Sequence, residues 1–165
     1  MAKNLKDYRR KEIRCLMIED FETGELKKIT KQEDIEKALL QYTDNEITKI
    51  YNPTQEQIKK INDLIERKVE EEKIYSKIEG IDMLINVIPM LTDIEIDLDK
   101  EEDIALINEI IEDPNDVFNE VVLELNKIIM NINLNWIEGL KILNKLPDEI
   151  VNALAENSKS DEING

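Results

Sequence analysis

Carboxylates dominate the side chains capable of chemistry. In 165 residues, 38 Asp and Glu stand against 22 Lys and Arg, with no histidine and a single cysteine, Cys15. These counts remove whole reaction classes. Without imidazole there is no Ser-His-Asp relay and no His-ligated zinc. One thiol makes neither an internal disulfide nor a cysteine metal cluster. Paired carboxylates could work as general acid and base, but acids are so dense that adjacent pairs are expected on any solvated face, and no pair stands out. Asp97 and Asp99, two apart, raise a calcium loop. It fails because no glycine occupies the sixth position and aliphatic residues fill the gaps. Neither a glycine-rich phosphate loop nor a nucleophile elbow occurs. The sequence therefore predicts no enzyme, no cofactor and no metal site.

Binding is what remains, and the elements that would position a binding surface are readable. Residues 13–18 are apolar and β-branched at the ends, Gly24 supplies a turn, and residues 26–30 return, which predicts a hairpin. Cys15, between Arg14 and Leu16, reads as a small buried hydrophobe. Thr30 with Glu33 has the form of a capping box, opening a helix with Ile35, Ala38, Leu39 and Tyr42 on one face. Residues 47–51 alternate and predict a third strand. Residues 13–51 thus form a predicted ββαβ appendage.

Asn52-Pro53-Thr54 marks a boundary, because Pro53 disfavours helical geometry at Asn52. Thr54 with Gln57 is a second capping box, and the helix it opens is predicted to run to about Glu72 with Ile58, Ile61, Leu64, Ile65 and Val69 in its stripe. Ser76 with Glu79 predicts a third cap. Apolar residues nearly surround the helix that follows, from Ile78 to Leu91, so it is central to the core or covered by a partner. Pro89 should kink it or mark its last turn. An acidic connector at 93–99 leads to a helix capped by Asp99 and Glu102 and carrying Ile104, Ile107, Ile110 and Ile111. After Pro114, apolar residues from Val117 to Leu143 keep 3–4 spacing, a helix of about 40 Å. Met130, Leu134 and Ile137 lie off its main stripe and widen it. Residues 147–155 are predicted to form a short last helix.

The predicted fold is mainly α: a four- to five-helix, bundle-like domain with a small β-hairpin appendage. Its parts are a flexible basic segment at 1–12, the appendage at 13–51, the helical domain at 52–157 and a tail at 158–165. Positions 1–14 carry six bases against two acids, so the rest of the chain is more acidic than the formal net charge of −16. That charge repels phosphates and argues against direct nucleic-acid binding. Lysines interleaved with the acids argue against an acidic DNA mimic that inhibits an enzyme, a reading kept as the third alternative. No apolar run reaches the ~20 residues of a membrane span, and the first fifteen residues lack the apolar core of a signal peptide. The expectation is a cytoplasmic protein with no membrane contact.

Three stretches carry a resemblance. Ile50-Tyr51-Asn52-Pro53-Thr54-Gln55-Glu56-Gln57 opens a helix. Residues 85–93 are a hydrophobic run ending in Pro89, Leu91 and Thr92. Residues 109–114, ending in Pro114, precede the run 120–129. In this order they resemble the phage tail assembly chaperone family of Gram-positive phages and phage-like elements, over about 50–157. The resemblance implies a protein that binds the tape measure protein, a long helical rod, and keeps it soluble while tail-tube subunits polymerise around it. It also implies release before the tail is complete, and action in the cytoplasm of the bacterial host. Some family members are made in a second, extended form by frameshifting. Residues 1–49 correspond to nothing in the family and are open to three roles: binding the tail-tube protein, self-association into a homo-oligomer, or decoration. A structural tail or baseplate accessory protein is the runner-up function.

The expected client site is an apolar groove between the 78–91 helix and the long helix, the helix-in-groove mode. Its residues are Leu84, Val87, Ile88 and Leu91 on the first, and Ile129, Ile132, Trp136 and Leu140 on the second. Trp136 reads either as a core anchor or as a partner anchor.

Overall fold

The computed structural model describes residue 4 and residues 10–144, the last four by backbone alone. The basic segment before Arg10, apart from Asn4, lies outside the described residues, as do the expected last helix at 147–155 and the tail at 158–165.

Three strands begin the fold: β1 (Ile13–Glu19), β2 (Leu26–Ile29) and β3 (Ile47–Tyr51), with helix α1 (Gln32–Gln41) between the last two. They form one antiparallel sheet in the order β2-β1-β3. The β1–β2 turn uses Gly24 at φ +71°, and Asp20 accepts the backbone N–H groups of Glu22 and Thr23. β1 is the central strand, and Cys15, Leu16, Met17 and Ile18 are all fully buried. Strand side chains alternate between faces. Leu16 and Ile18 meet Ile35, Ala38 and Ile47 on the α1 side, while Cys15 and Met17 join Ile50 and the helices on the other.

The ββαβ unit is therefore not an appendage on a helical bundle. The described residues are mixed α/β, 52% helical and 20% strand with two small sheets. A four-residue run buried on both faces belongs to a strand covered on both sides, so β1 divides the core instead of hanging from it.

The second sheet is the larger departure. Helix α2 (Gln55–Leu64) has the expected capping box at its start, with Thr54 accepting from the Gln57 N–H and Gln57 accepting from the Thr54 N–H. It stops well short of Glu72. The chain instead forms β4 (Glu66–Glu70) and β5 (Lys73–Lys77), an antiparallel hairpin turned by Glu71 and Glu72 at φ 50° and 66°. Positive φ at both central residues is the turn geometry that suits the twist of a two-residue hairpin. Cross-strand pairs Glu66↔Lys77 and Glu70↔Lys73 match opposite charges, and Val69↔Ile74 pairs β-branched residues. A helix here would have stacked acids at 70–72 instead. Ser76 lies within β5, so the expected third cap does not form.

The expected 78–91 helix begins at Gly80. It runs as α3 (Gly80–Asp82), a π-helical turn (Met83–Val87) and α4 (Ile88–Leu91). Proline lacks an N–H and its ring crowds the carbonyl four residues back, and the wider turn just before Pro89 accommodates both. Helix α5 (Glu101–Glu112) has Lys100 at its N-cap, without a side-chain bond, in place of Asp99. Likewise Lys31, with no capping side chain, stands at the start of α1 in place of the Thr30 box. Helix α6 (Asp116–Asn144) is the longest element. Asn115 caps it by accepting from the Phe118 N–H. Its residues Val121, Leu125, Ile128 and Ile132 pack on Cys15 and Met17 of β1, on Ile61 of α2 and on Val87, Ile88 and Leu91.

Candidate functional site

The expected groove does not open between the 80–91 segment and α6. Val87, Ile88 and Leu91 are fully buried and Ile132 is nearly so, all within the main core. Apolar residues that pair across two helices of one small domain satisfy each other first, which leaves nothing of them for a client. The other four expected residues retain surface but are scattered. Leu84 lines a 160 Å³ apolar cleft with Ile94, Ile107, Ile110 and Phe118, under α5. Ile129 lies beside Ile65, Ile78 and Met83, near the end of β5. Trp136 lines a cavity on another flank of α6. Leu140 is half-buried further along.

Trp136 is neither a plain core anchor nor a bare partner anchor. The guanidinium of Arg67, from β4, lies 3.9 Å from its ring centroid, a cation–π contact. Arg67 also donates to Asn62 on α2 and to Asn133 on α6, at 2.6 and 3.0 Å. Burial lowers its pKa. The hairpin is thereby tied to α6 through one side chain.

Two features went unnoticed in the sequence. The first is Glu124, one carboxylate among 38 acids, yet only 5% exposed. It accepts from Arg14 Nε at 2.7 Å, from Lys127 Nζ at 3.2 Å and from Lys28 Nζ. A bulge between Ile13 and Cys15 breaks the strand alternation, which brings Arg14 to the same side of β1 as Cys15. Lys28 pairs with Met17 across the sheet and so shares that side. Burial opposes ionisation of Glu124, but the bonds from Lys28, Arg14 and Lys127 outweigh it and bring the carboxyl down to about 2. Burial, reinforced by the Glu124 charge, pushes the neighbouring Cys15 thiol up to about 11, so it is a thiol and not a nucleophilic thiolate at neutral pH.

The second is a stripe on the outer face of α6. Leu123, Met130 and Leu134 are 55%, 61% and 49% exposed. At 100° per residue they stand opposite Leu125 and Ile132 on the helix wheel. Their spacing of seven and four keeps them in one row. Leu106, Ile110 and Ile111 of α5 are exposed as well. The signal was present in Met130 and Leu134 as residues off the main stripe, but spacing alone does not say which stripe faces in.

Among the described residues, no helix is long and apolar enough to cross a membrane. No family model, no curated protein and no solved structure matches this chain.

Proposed function

We propose that this protein is a tail assembly chaperone that binds and solubilises a tape measure protein, a long helical client, in the cytoplasm of a bacterial host. The observation that carries the reading is the exposed row Leu123, Met130 and Leu134 along a 29-residue helix. A straight row of large apolar side chains at helical spacing complements a second helix. Single exposed hydrophobes are ordinary on any surface, whereas a row on one face marks an interaction site. The strong net charge keeps a protein soluble while it carries an apolar client. Modest affinity per copy, multiplied along a long rod, gives capture that is still reversible. The resemblance of residues 50–157 supplies the identity of the client.

The test is co-expression of the full chain with the longest helical protein encoded beside it. The expected result is a soluble client that co-elutes with this protein, and a triple variant Leu123→Gln, Met130→Gln, Leu134→Gln that leaves the client insoluble. A client that precipitates equally with and without the wild-type chain overturns the reading. Stoichiometric recovery of this protein in finished particles would instead identify a structural tail component.

A further inference from the structure

The acidic surface has a basic recess. Arg10, Arg14 and Lys59 line a 310 Å³ cavity between the start of β1, α2 and α6, and among the described residues no carboxylate lines it. Neither Arg10 nor Lys59 has an ion pair among the described residues. Glu124, the partner of Arg14, is shared with Lys28 and Lys127. In a chain of net charge −16 the recess is a local reversal of sign. The rest of the wall is of two kinds. Asn62, Asn131 and Asn135 offer amide donors, while Pro53, Ile58 and Trp136 offer apolar surface.

We infer that this cavity is a docking site for an acidic–aliphatic polypeptide segment of a partner protein. Charge complementarity selects the occupant. One carboxylate meets the basic rim and the amides, and a branched side chain next to it covers Ile58 and Trp136. The volume, near the lower end for ligand sites, suits one or two side chains and not a large cofactor. An extended polyphosphate fits poorly, because its charges beyond the recess would lie over an acidic surface within a Debye length of about 8 Å. A bare anion would leave the apolar wall uncovered. This inference stands on the cavity alone and does not depend on the chaperone reading.

Trp136 is the sole tryptophan of the chain and lines the cavity, so its emission reports occupancy. The probe is a dye-labelled, end-blocked pentapeptide with a single aspartate beside an isoleucine among serines, titrated into the full chain and followed by Trp136 fluorescence and by dye anisotropy. The expected result is saturable binding that weakens with added salt. A control peptide with asparagine for that aspartate should bind at least tenfold more weakly. Lys59→Glu should weaken the acidic peptide at least tenfold with an unchanged circular dichroism spectrum, and the milder Lys59→Gln should weaken it by a smaller factor. Equal binding of the amide peptide, or no saturable signal in either readout, overturns the inference. So does tighter binding of inorganic phosphate or of a single-stranded oligothymidylate.

Discussion

The two faces of α6 have nearly the same amino acids and opposite fates. Val121, Leu125, Ile128 and Ile132 are buried, whereas Leu123, Met130 and Leu134 stand about half in solvent. Burying a large aliphatic side chain contributes about 1.5–3 kcal/mol to folding, and leaving it exposed contributes almost nothing. One face therefore holds the protein together, and the other is available to something else. Composition does not separate them. What separates them is that β1, α2 and α4 cover one side and leave the other uncovered.

Substitutions on each face break or sharpen this contrast. The largest expected effect is on the inner face. Leu125→Ala should cost about 3 kcal/mol, read as a lower urea midpoint, because it removes a fully buried side chain and leaves a cavity. A loss comparable to that of an outer-face variant would erase the distinction.

On the flank between the faces, Glu124→Gln should cost about 2 kcal/mol, the order for a charged hydrogen-bonded partner removed from a partly buried cluster. The pH dependence is more specific. The Glu124 carboxyl titrates at about 2 in the folded chain against an ordinary 4.5. As pH falls below 4.5 the unfolded chain takes up this proton first, so the stability that Glu124 contributes declines until about pH 2. Thermal melts of the wild type should show that decline, and Glu124→Gln should lack its share.

A smaller change of opposite sign is expected at the hairpin that reaches α6 through Arg67. Replacing Glu71→Asn and Glu72→Gly should raise stability by about 1 kcal/mol, because both positions have positive φ and Asn-Gly tolerates it. Calorimetry should show a higher Tm. The smallest effect on stability belongs to the outer face. Leu123→Gln, Met130→Gln and Leu134→Gln should each shift it by no more than about 0.5 kcal/mol, while together they abolish client capture. A large fall in Tm would mean that the row is part of the fold and not a binding surface.

Local signals were legible where the chemistry is local. The Thr54–Gln57 cap formed because both partners lie within one turn, and Asn52-Pro53 ended β3 where proline said it should. The three strands and α1 of the first sheet follow from turn and alternation patterns. Thr30 and Ser76 match the same capping pattern and do not cap: α1 starts one residue later, with Lys31 at its N-cap, and Ser76 lies inside β5. In the stretch 65–77, Ile65, Lys68 and Val69 continue a 3–4 spacing that predicts helix, while its real determinants are pairs formed across the β4–β5 turn. Four residues of the expected groove belong to the core for a related reason. Val87, Ile88, Leu91 and Ile132 are apolar and periodic, which is what a client groove and a core both require.

What the sequence determined by itself was its charge, its lack of imidazole and of paired thiols, the strand character of residues 15–18 and the helical reach of residues 117–143. These depend on residue type and on neighbours a few positions away. The tertiary structure alone decided which stripe of α6 turns inward, that the ββαβ unit shares the main core, and that Glu124, among the described carboxylates, is buried under three cations. Each of those depends on residues far apart in the chain, such as Arg14 and Glu124 at a separation of 110. Hydrophobic and ionic energies depend on what covers a group, and no local spacing records it.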